Sequence, residues 1–126
     1  MLSQAPIVPC LPATDITRAK KFYKEKLGLK ESKAQEPGGA TFDCGDGTKL
    51  YIYPRGPVKI DHTQASFMVA DIEAEMKDLR ARGVVFEEYD LPGLKTENGI
   101  VNFDGFKSSW FKDSEGNILA IGQMPK

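Results

Sequence analysis

Apolar residues recur along the first part of the chain at a spacing that predicts a helix. A short apolar segment, residues 5–13, precedes Asp15. Beyond Asp15, apolar side chains return every third or fourth position, at Ile16, Ala19, Tyr23 and Leu27. This spacing predicts an amphipathic helix over residues 15–27 that packs one face on a core, with Asp15 as its N-cap. Gly28 follows at the point where helices commonly end in a left-handed residue.

Three further segments follow the predicted helix, and glycine-bearing turns separate them. The segments are LGLKESK, ATFDCG and KLYIYP, and the turns are EPGG and GDGT. Short runs of apolar and β-branched residues between such turns are typical of β-strands. We therefore expect residues 1–57 to form a module with the element order βαβββ.

The same order returns in the second half of the chain. TQASFMVA predicts a strand, Asp71 a second N-cap and Gly83 a second helix end. The apolar face of this helix comprises Ile72, Met76 and Leu79. VVFEEYDL, a long strand within NGIVNFDGFKSSWFKD, and NILAIGQM then complete a second βαβββ module over residues 58–126. The fold class is therefore α+β, a single domain of two modules with mixed sheets.

Composition excludes several classes of partner. The 126 residues carry 17 basic and 18 acidic side chains, a net charge of −1, and no long run of one sign. This balance argues against nucleic acid as a partner. No stretch approaches the roughly 18 apolar residues of a membrane span, and the first residues lack the pattern of a signal peptide. We expect a soluble cytoplasmic chain that does not bind membranes.

Three groups of residues keep a recognisable order over nearly the whole chain. They are Asp15 with Phe22-Tyr23 and Leu27-Gly28-Leu29, then Val69, Asp71, Leu79 and Gly83, and finally Phe111, Asp113, Gly116 and Asn117. In these residues the chain resembles the vicinal oxygen chelate superfamily, which includes glyoxalases, bleomycin-resistance proteins and extradiol dioxygenases. Ser114 departs from the pattern, since the family usually carries proline there. The resemblance implies that each module curls its sheet into a half-open cup that faces another cup, often in a homodimer.

The resemblance also implies four positions at which enzymes of the family hold a divalent metal. In this chain they are occupied by Val8, Tyr51, Gln64 and Ala120. Valine and alanine have no donor atom, and one amide oxygen with a phenol does not hold a divalent cation in water. We therefore expect no metal, no cofactor and no assignable catalytic residue. The single histidine, His62, lies two residues before Gln64 and is expected at a rim.

Alternation along the strands predicts which side chains line the cup. The predicted ligand-binding residues are Val8, Cys10, Tyr51, Tyr53, Gln64, Ser66, Met68, Trp110 and Ala120, and Ile118 and Gly122 share their face. Their mixture of hydroxyl, amide, thiol and apolar groups is typical of a small-molecule pocket. Trp110 could instead pack in a dimer interface, Tyr51 could simply fill space, and Cys10 could be an inert thiol.

Three functions are compatible with these residues. The first is a metal-free binding protein, similar to the bleomycin-resistance branch, that holds an aromatic or hydrophobic compound in a cup between the modules. The second is a glyoxalase- or lyase-like metalloenzyme with a non-standard site, or a metal-free isomerase. The third is an interaction module with a filled cup. Metal content, ligand binding and the packing of the cup distinguish them.

Overall fold

The computed structural model describes residues 1–35 and 37–125 and confirms a mixed α+β architecture. The chain divides into two compact units, Met1–Lys59 and Ile60–Lys126. This division falls two residues after the module boundary expected from the sequence. Among the described residues, no helix has the length and apolar character needed to cross a membrane.

The first unit has the predicted βαβββ order. Its strands are β1 (Cys10–Ala13), β2 (Lys30–Glu31), β3 (Ala40–Asp43) and β4 (Lys49–Pro54). Helix α1 (Ile16–Lys21) lies between β1 and β2 and continues into one π-helical turn, Phe22–Lys26, and short 3-10 turns occur at Leu2–Gln4 and Gly45–Gly47. The sheet order is β1-β4-β3-β2, with β1 parallel to β4 and the other pairs antiparallel.

Local chemistry explains where α1 begins and how it packs. The Asp15 side chain accepts a hydrogen bond from the backbone N–H of Arg18 at 3.0 Å, so the predicted N-cap is confirmed. Tyr23 is fully buried, and its ring centroid lies 5.6 Å from that of Phe42 on β3. Gly28 ends the helical stretch with φ of 70°, a conformation that glycine adopts without steric cost.

The two faces of the first sheet differ as strand alternation predicts. Leu11 and Ala40 pair with Ile52 across the sheet, and all three side chains are buried. The neighbouring row on the other face joins Cys10, Tyr51 and Thr41. The apolar row therefore belongs to the helix-packed core, and the opposite face carries the polar groups.

The second unit repeats the order β-α-β-β-β and adds a small hairpin. Its main sheet contains β5 (Thr63–Met68), β8 (Val101–Phe103), β9 (Phe106–Lys112) and β10 (Ile118–Gln123), in the order β5-β10-β9-β8. Helix α2 (Ile72–Ala81) follows β5. The hairpin pairs β6 (Asp90–Leu91) with β7 (Leu94–Lys95) outside the main sheet. Strand β5 runs parallel to β10, and the other pairs are antiparallel.

The assignment of VVFEEYDL as a strand of the main sheet is wrong. Only a single bridge, Phe86 to Phe111, connects this segment to the sheet, and its last two residues form β6. Pro92 and Gly93 follow, and Gly93 has φ of 78°. Proline then glycine with positive φ is the signature of a tight turn, so the chain folds back on itself as a hairpin. The strand at the edge of the sheet is β8 instead.

Helix α2 is held at its N-terminus by two side chains. The Asp71 carboxylate accepts from the backbone N–H of Ala74 at 3.1 Å, as predicted for an N-cap. The backbone N–H of Ile72 donates to Oε1 of Gln123, at the end of β10, at 2.8 Å. The predicted apolar face of the helix is buried, and Gly83 lies beyond its end with φ of 94°.

The turn before β10 depends on a buried carboxylate. Asp113 accepts hydrogen bonds from the backbone N–H groups of Glu115 and Asn117 at 2.8 and 2.9 Å. It also accepts from Nδ2 of Asn117 at 2.8 Å. Asp113 and Asn117 are part of the third group of residues singled out in the sequence, and their role here is to shape this turn.

Candidate functional site

The second unit contains a cavity of about 250 Å³. Its wall is mainly apolar and is formed by Tyr89, Leu91, Leu94, Trp110 and Ile118. Three consecutive polar residues, Asp61, His62 and Thr63, complete the lining. An apolar wall with a few polar groups is the usual composition of a small-molecule site.

Two elements of the second unit bring the aromatic residues of the wall together. Trp110 lies on β9 and pairs with Ala120 of β10. Tyr89 lies just before β6, and its backbone N–H donates to Oγ1 of Thr96 at 2.8 Å while its carbonyl accepts from the Thr96 N–H at 2.9 Å. The Tyr89 and Trp110 rings meet edge to face, with centroids 5.5 Å apart and an interplanar angle of 71°. This geometry is favourable for aromatic pairs, and the two rings form one corner of the cavity wall.

The hairpin β6–β7 supplies the other apolar part of the wall. Leu91 and Leu94 pair across its two strands, with Pro92 and Gly93 at the tip between them. Leu91 is 56% exposed, so part of its side chain is open to a molecule in the cavity. Ile118, at the start of β10, closes the wall and pairs with Thr63 of β5.

The polar residues lie at the exposed edge of the cavity. The side chains of His62 and Asp61 are 72% and 78% exposed, and Nδ1 of His62 lies 3.0 Å from Oδ1 of Asp61. The hydrogen bond with His62 lowers the pKa of the Asp61 carboxyl. Burial raises the pKa of the Tyr89 phenol, and the Glu87 carboxylate raises it further. Tyr89 is therefore a neutral phenol and Asp61 an anion at neutral pH.

The predicted ligand-binding residues of the second unit occupy different environments. Trp110 lines the cavity, whereas Ala120 is 4% exposed and lies between Trp110 and Ser66 in one row across the sheet. Met68 pairs with Gly122 in the next row and is 55% exposed. Gln64 lies at an irregularity in the β5–β10 ladder, where Thr63 pairs with Ile118 but Ala65 already pairs with Leu119. Ser66, Met68, Gln64 and Ala120 do not contribute to the lining of the cavity.

The predicted ligand-binding residues of the first unit lie close to one another on one face of its sheet. Cys10 is exposed and pairs with Tyr51, while Val8 precedes β1 and is 36% exposed. The Tyr51 and Tyr53 rings stack at 6.4 Å with an interplanar angle of 23°. The Tyr51 hydroxyl donates to the carbonyl oxygen of Pro37 at 3.3 Å. These contacts position two phenol rings on the face that alternation assigned to the cup, and their role in binding stays a prediction.

Sequence reasoning missed part of the cavity wall. The sequence does not identify Tyr89 and Leu91, because the segment that contains them is predicted as a strand of the main sheet, and it does not identify Leu94, which follows that segment. The signal was present in the sequence, since Pro92-Gly93 between two leucines predicts a tight hairpin. That turn chemistry indicates the hairpin but does not indicate where the hairpin packs.

The four positions that hold a metal in enzymes of the resembled family do not fit one here. Val8 and Ala120 offer no donor atom, and the Tyr51 hydroxyl already donates to a carbonyl. Oε1 of Gln64 is buried and accepts no hydrogen bond from any described residue. It is a single neutral oxygen, which by itself does not hold a divalent cation. Across residues 1–35 and 37–125, no three histidine, cysteine or acidic side chains group together as metal ligands would.

The family of the chain follows from its sequence and agrees with this fold. Residues 5–121 match the model of the Glyoxalase/Bleomycin resistance protein/Dioxygenase superfamily. The chain belongs to this superfamily. No curated protein matches it in a direct comparison of sequences.

Several solved structures share the fold over almost their whole length. TnmS3, an antibiotic binding protein from Streptomyces sp. CB03234, is 24% identical with a TM-score of 0.72, and the match covers 100% of this chain and 99% of that one. A lactoylglutathione lyase from Agrobacterium tumefaciens is 18% identical with a TM-score of 0.70, covering 95% and 93%. A glyoxalase / bleomycin resistance protein from Catenulispora acidiphila DSM 44928 is 20% identical with a TM-score of 0.72, covering 95% and 98%. At these identities the likeness shows the fold alone, and binding proteins and enzymes both adopt it.

Proposed function

We propose that this chain is a small-molecule-binding member of the superfamily and holds an aromatic or hydrophobic compound without a divalent metal. The observation that carries the proposal is the cavity of about 250 Å³ with the Trp110–Tyr89 corner in its wall. TnmS3, which shares the fold, is an antibiotic binding protein, so a binding function is compatible with this architecture.

The chemistry of the wall supports an aromatic ligand. Two aromatic rings meet at an angle, which leaves ring faces and edges available to a planar compound. Leu91, Leu94 and Ile118 add apolar surface that a ligand would remove from water. Such contacts supply affinity without any chemical step.

The donor atoms at the family's metal positions support the metal-free part of the proposal. Valine and alanine occupy two of these positions, and neither can coordinate a cation. The alternative is a metalloenzyme with a non-standard site. A stoichiometric metal that is lost to a chelator together with ligand binding would favour that alternative.

The proposal extends to a cytoplasmic protein that forms a homodimer. We expect the homodimer because the resemblance implies cups that face one another, often across subunits. Sedimentation equilibrium of the purified protein measures the assembly directly. A monomer at micromolar concentration that still binds ligand would remove the dimer from the proposal and leave the binding function in place.

Trp110 is the only tryptophan of the chain, so its fluorescence reports on the cavity itself. We expect 4-nitrobenzyl alcohol, a neutral aromatic quencher, to quench this emission saturably. Tyr89→Ala should weaken binding of this probe about 2- to 10-fold, the range that one aromatic contact supplies. Phe103→Ala removes an aromatic ring that is 47% exposed in the same unit and outside the cavity lining, so it is the matched control.

Two further arms test the alternatives. Tyr53→Ala tests the prediction that the ligand also contacts the first module. If this variant lowers the affinity for the probe as much as Tyr89→Ala does, the ligand makes such a contact. Dialysis against a chelator should leave the quenching curve unchanged. Linear quenching without saturation, equal in wild type and Tyr89→Ala, would contradict a binding site in this cavity.

A further inference from the structure

The exposed edge of the cavity carries a histidine whose two nitrogens are chemically distinct. His62 and Asp61 both line the cavity, together with Thr63. Nδ1 of His62 is 3.0 Å from the Asp61 carboxylate, so this nitrogen is already engaged within the protein. Nε2 is the nitrogen that remains for a bound molecule.

The carboxylate determines which nitrogen carries the proton. The pKa of Asp61 is lowered, first of all by its hydrogen bond with His62, so the carboxyl is ionised at neutral pH. An ionised carboxylate can only accept hydrogen bonds, and therefore Nδ1 is the donor. In a neutral imidazole the other nitrogen is then an acceptor. When the imidazole is neutral, Nε2 of His62 is therefore the acceptor nitrogen of a residue that lines the cavity.

The hydroxyl groups of the lining do not discriminate in this way. The hydroxyl groups of Thr63 and Tyr89 can each donate or accept. The neutral state of Tyr89, favoured by its burial, preserves both possibilities. The Asp61 carboxylate also accepts only, so it adds to the preference for a ligand that donates.

We propose that the cavity selects neutral aromatic compounds that carry a hydrogen-bond donor, such as a phenolic hydroxyl or an indole or arylamine N–H, and that His62 Nε2 accepts that hydrogen. The ring lies against the Trp110–Tyr89 corner, and the donor points to the exposed edge. This inference rests on the proposed function, because it assigns a ligand class to the same cavity.

A matched pair of ligands tests the inference. Indole carries a ring N–H, and 1-methylindole has the same ring with that hydrogen replaced by a methyl group. Isothermal titration calorimetry of the purified full chain is run at about pH 8, where histidine side chains are ordinarily neutral. We expect wild type to bind indole about 2- to 10-fold more tightly than 1-methylindole, the range for one net hydrogen bond.

Variants assign the preference to His62. In His62→Ala the preference for indole should disappear, while 1-methylindole binds as it does to wild type within about 2-fold. Asp61→Asn should reduce the preference, because an amide can also donate to Nδ1 and so shift the proton to Nε2. Asp104→Asn makes the same chemical change at an exposed position outside the cavity lining and is the matched control.

The outcomes separate the two proposals. Failure of both indoles to bind wild type would overturn the proposed function itself. Equal binding of the two by wild type would overturn the assignment of a donor ligand but leave the binding cavity in place. An indole preference that survives in His62→Ala would show that another group accepts the hydrogen, which would overturn the role of His62.

Discussion

The contact between Gln123 and helix α2 predicts that the loss of one amide side chain strongly lowers the stability of the fold. Ile72 is the first residue of α2, and its backbone N–H has no partner within the helix. Oε1 of Gln123 accepts this hydrogen at 2.8 Å, from a position 51 residues later in the chain. Ile72 is 0% exposed and Gln123 7% exposed, so water does not replace a lost partner. The substitution Gln123→Leu keeps the approximate size of the side chain and removes the acceptor.

The expected cost follows from the burial of the donor. An unsatisfied buried backbone N–H costs about 1–3 kcal/mol, more than the hydrogen bond itself contributes in net terms. We therefore expect Gln123→Leu to lower the free energy of unfolding by about 2 kcal/mol. With urea slopes of about 1–3 kcal/mol/M for small proteins, the midpoint should fall by about 1 M. Far-UV circular dichroism in a urea titration at about 25 °C measures this shift.

Gln64→Leu is the matched control in the same unit. Oε1 of Gln64 is buried but accepts no hydrogen bond from any described residue. The same substitution there removes no observed hydrogen bond and leaves no donor unsatisfied, and it removes an oxygen that is itself buried without a partner, so Gln64→Leu should not lower the free energy of unfolding. If Gln123→Leu costs no more than Gln64→Leu, the reasoning about the buried N–H of Ile72 is wrong. Amide hydrogen exchange at Ile72 gives a local check, since its protection should fall selectively in Gln123→Leu.

Two further predictions concern the loops of the units. The Glu88 carboxylate accepts a hydrogen bond from Thr96 Oγ1 at 2.6 Å, which lowers its pKa below the ordinary 4.5. The ionised carboxylate of Glu88 therefore stabilises the fold above that value, and this stabilisation is lost as the pH falls through the lowered pKa. Calorimetry should accordingly show that the Tm difference between wild type and Glu88→Gln shrinks toward zero at acid pH. A Cβ at Gly39 would lie 2.1 Å from the carbonyl oxygen of Ile52, so Gly39→Ala should destabilise by about 1–3 kcal/mol or more in a urea titration. A Cβ at Gly45 meets no atom within 4 Å, so Gly45→Ala should change the stability little. If both substitutions lower the stability equally, the predicted clash at Gly39 is wrong.

Local chemistry made the helices and most strands predictable. Asp15 and Asp71 cap their helices through their own side chains, so four consecutive residues contain the whole signal. Alternation likewise assigned Leu11, Ile52 and Leu119 to the buried faces, because successive side chains in a strand point to opposite sides. These features depend on residues that are close together in the sequence, so the sequence alone predicts them.

The candidate site was predictable only in part. Trp110 was identified as the aromatic residue of a pocket and lines the cavity. Gln64 was assigned a regular position on its strand, but the irregularity in the β5–β10 ladder interrupts the pairing there. An irregularity of this kind depends on how two strands far apart in the chain fit together, which strand alternation alone does not reveal.

The sequence by itself determined the class of fold, the two repeated modules and the absence of donor atoms at Val8 and Ala120, since residue identity and local spacing suffice for each. Only the tertiary structure decided that the hairpin carrying Leu91 and Leu94 lines the same cavity as Trp110. It also decided that the Asp61–His62 pair lies at the edge of that cavity. The physical reason is that a cavity is made by segments distant in the chain, and their meeting depends on packing of the whole unit rather than on any local pattern.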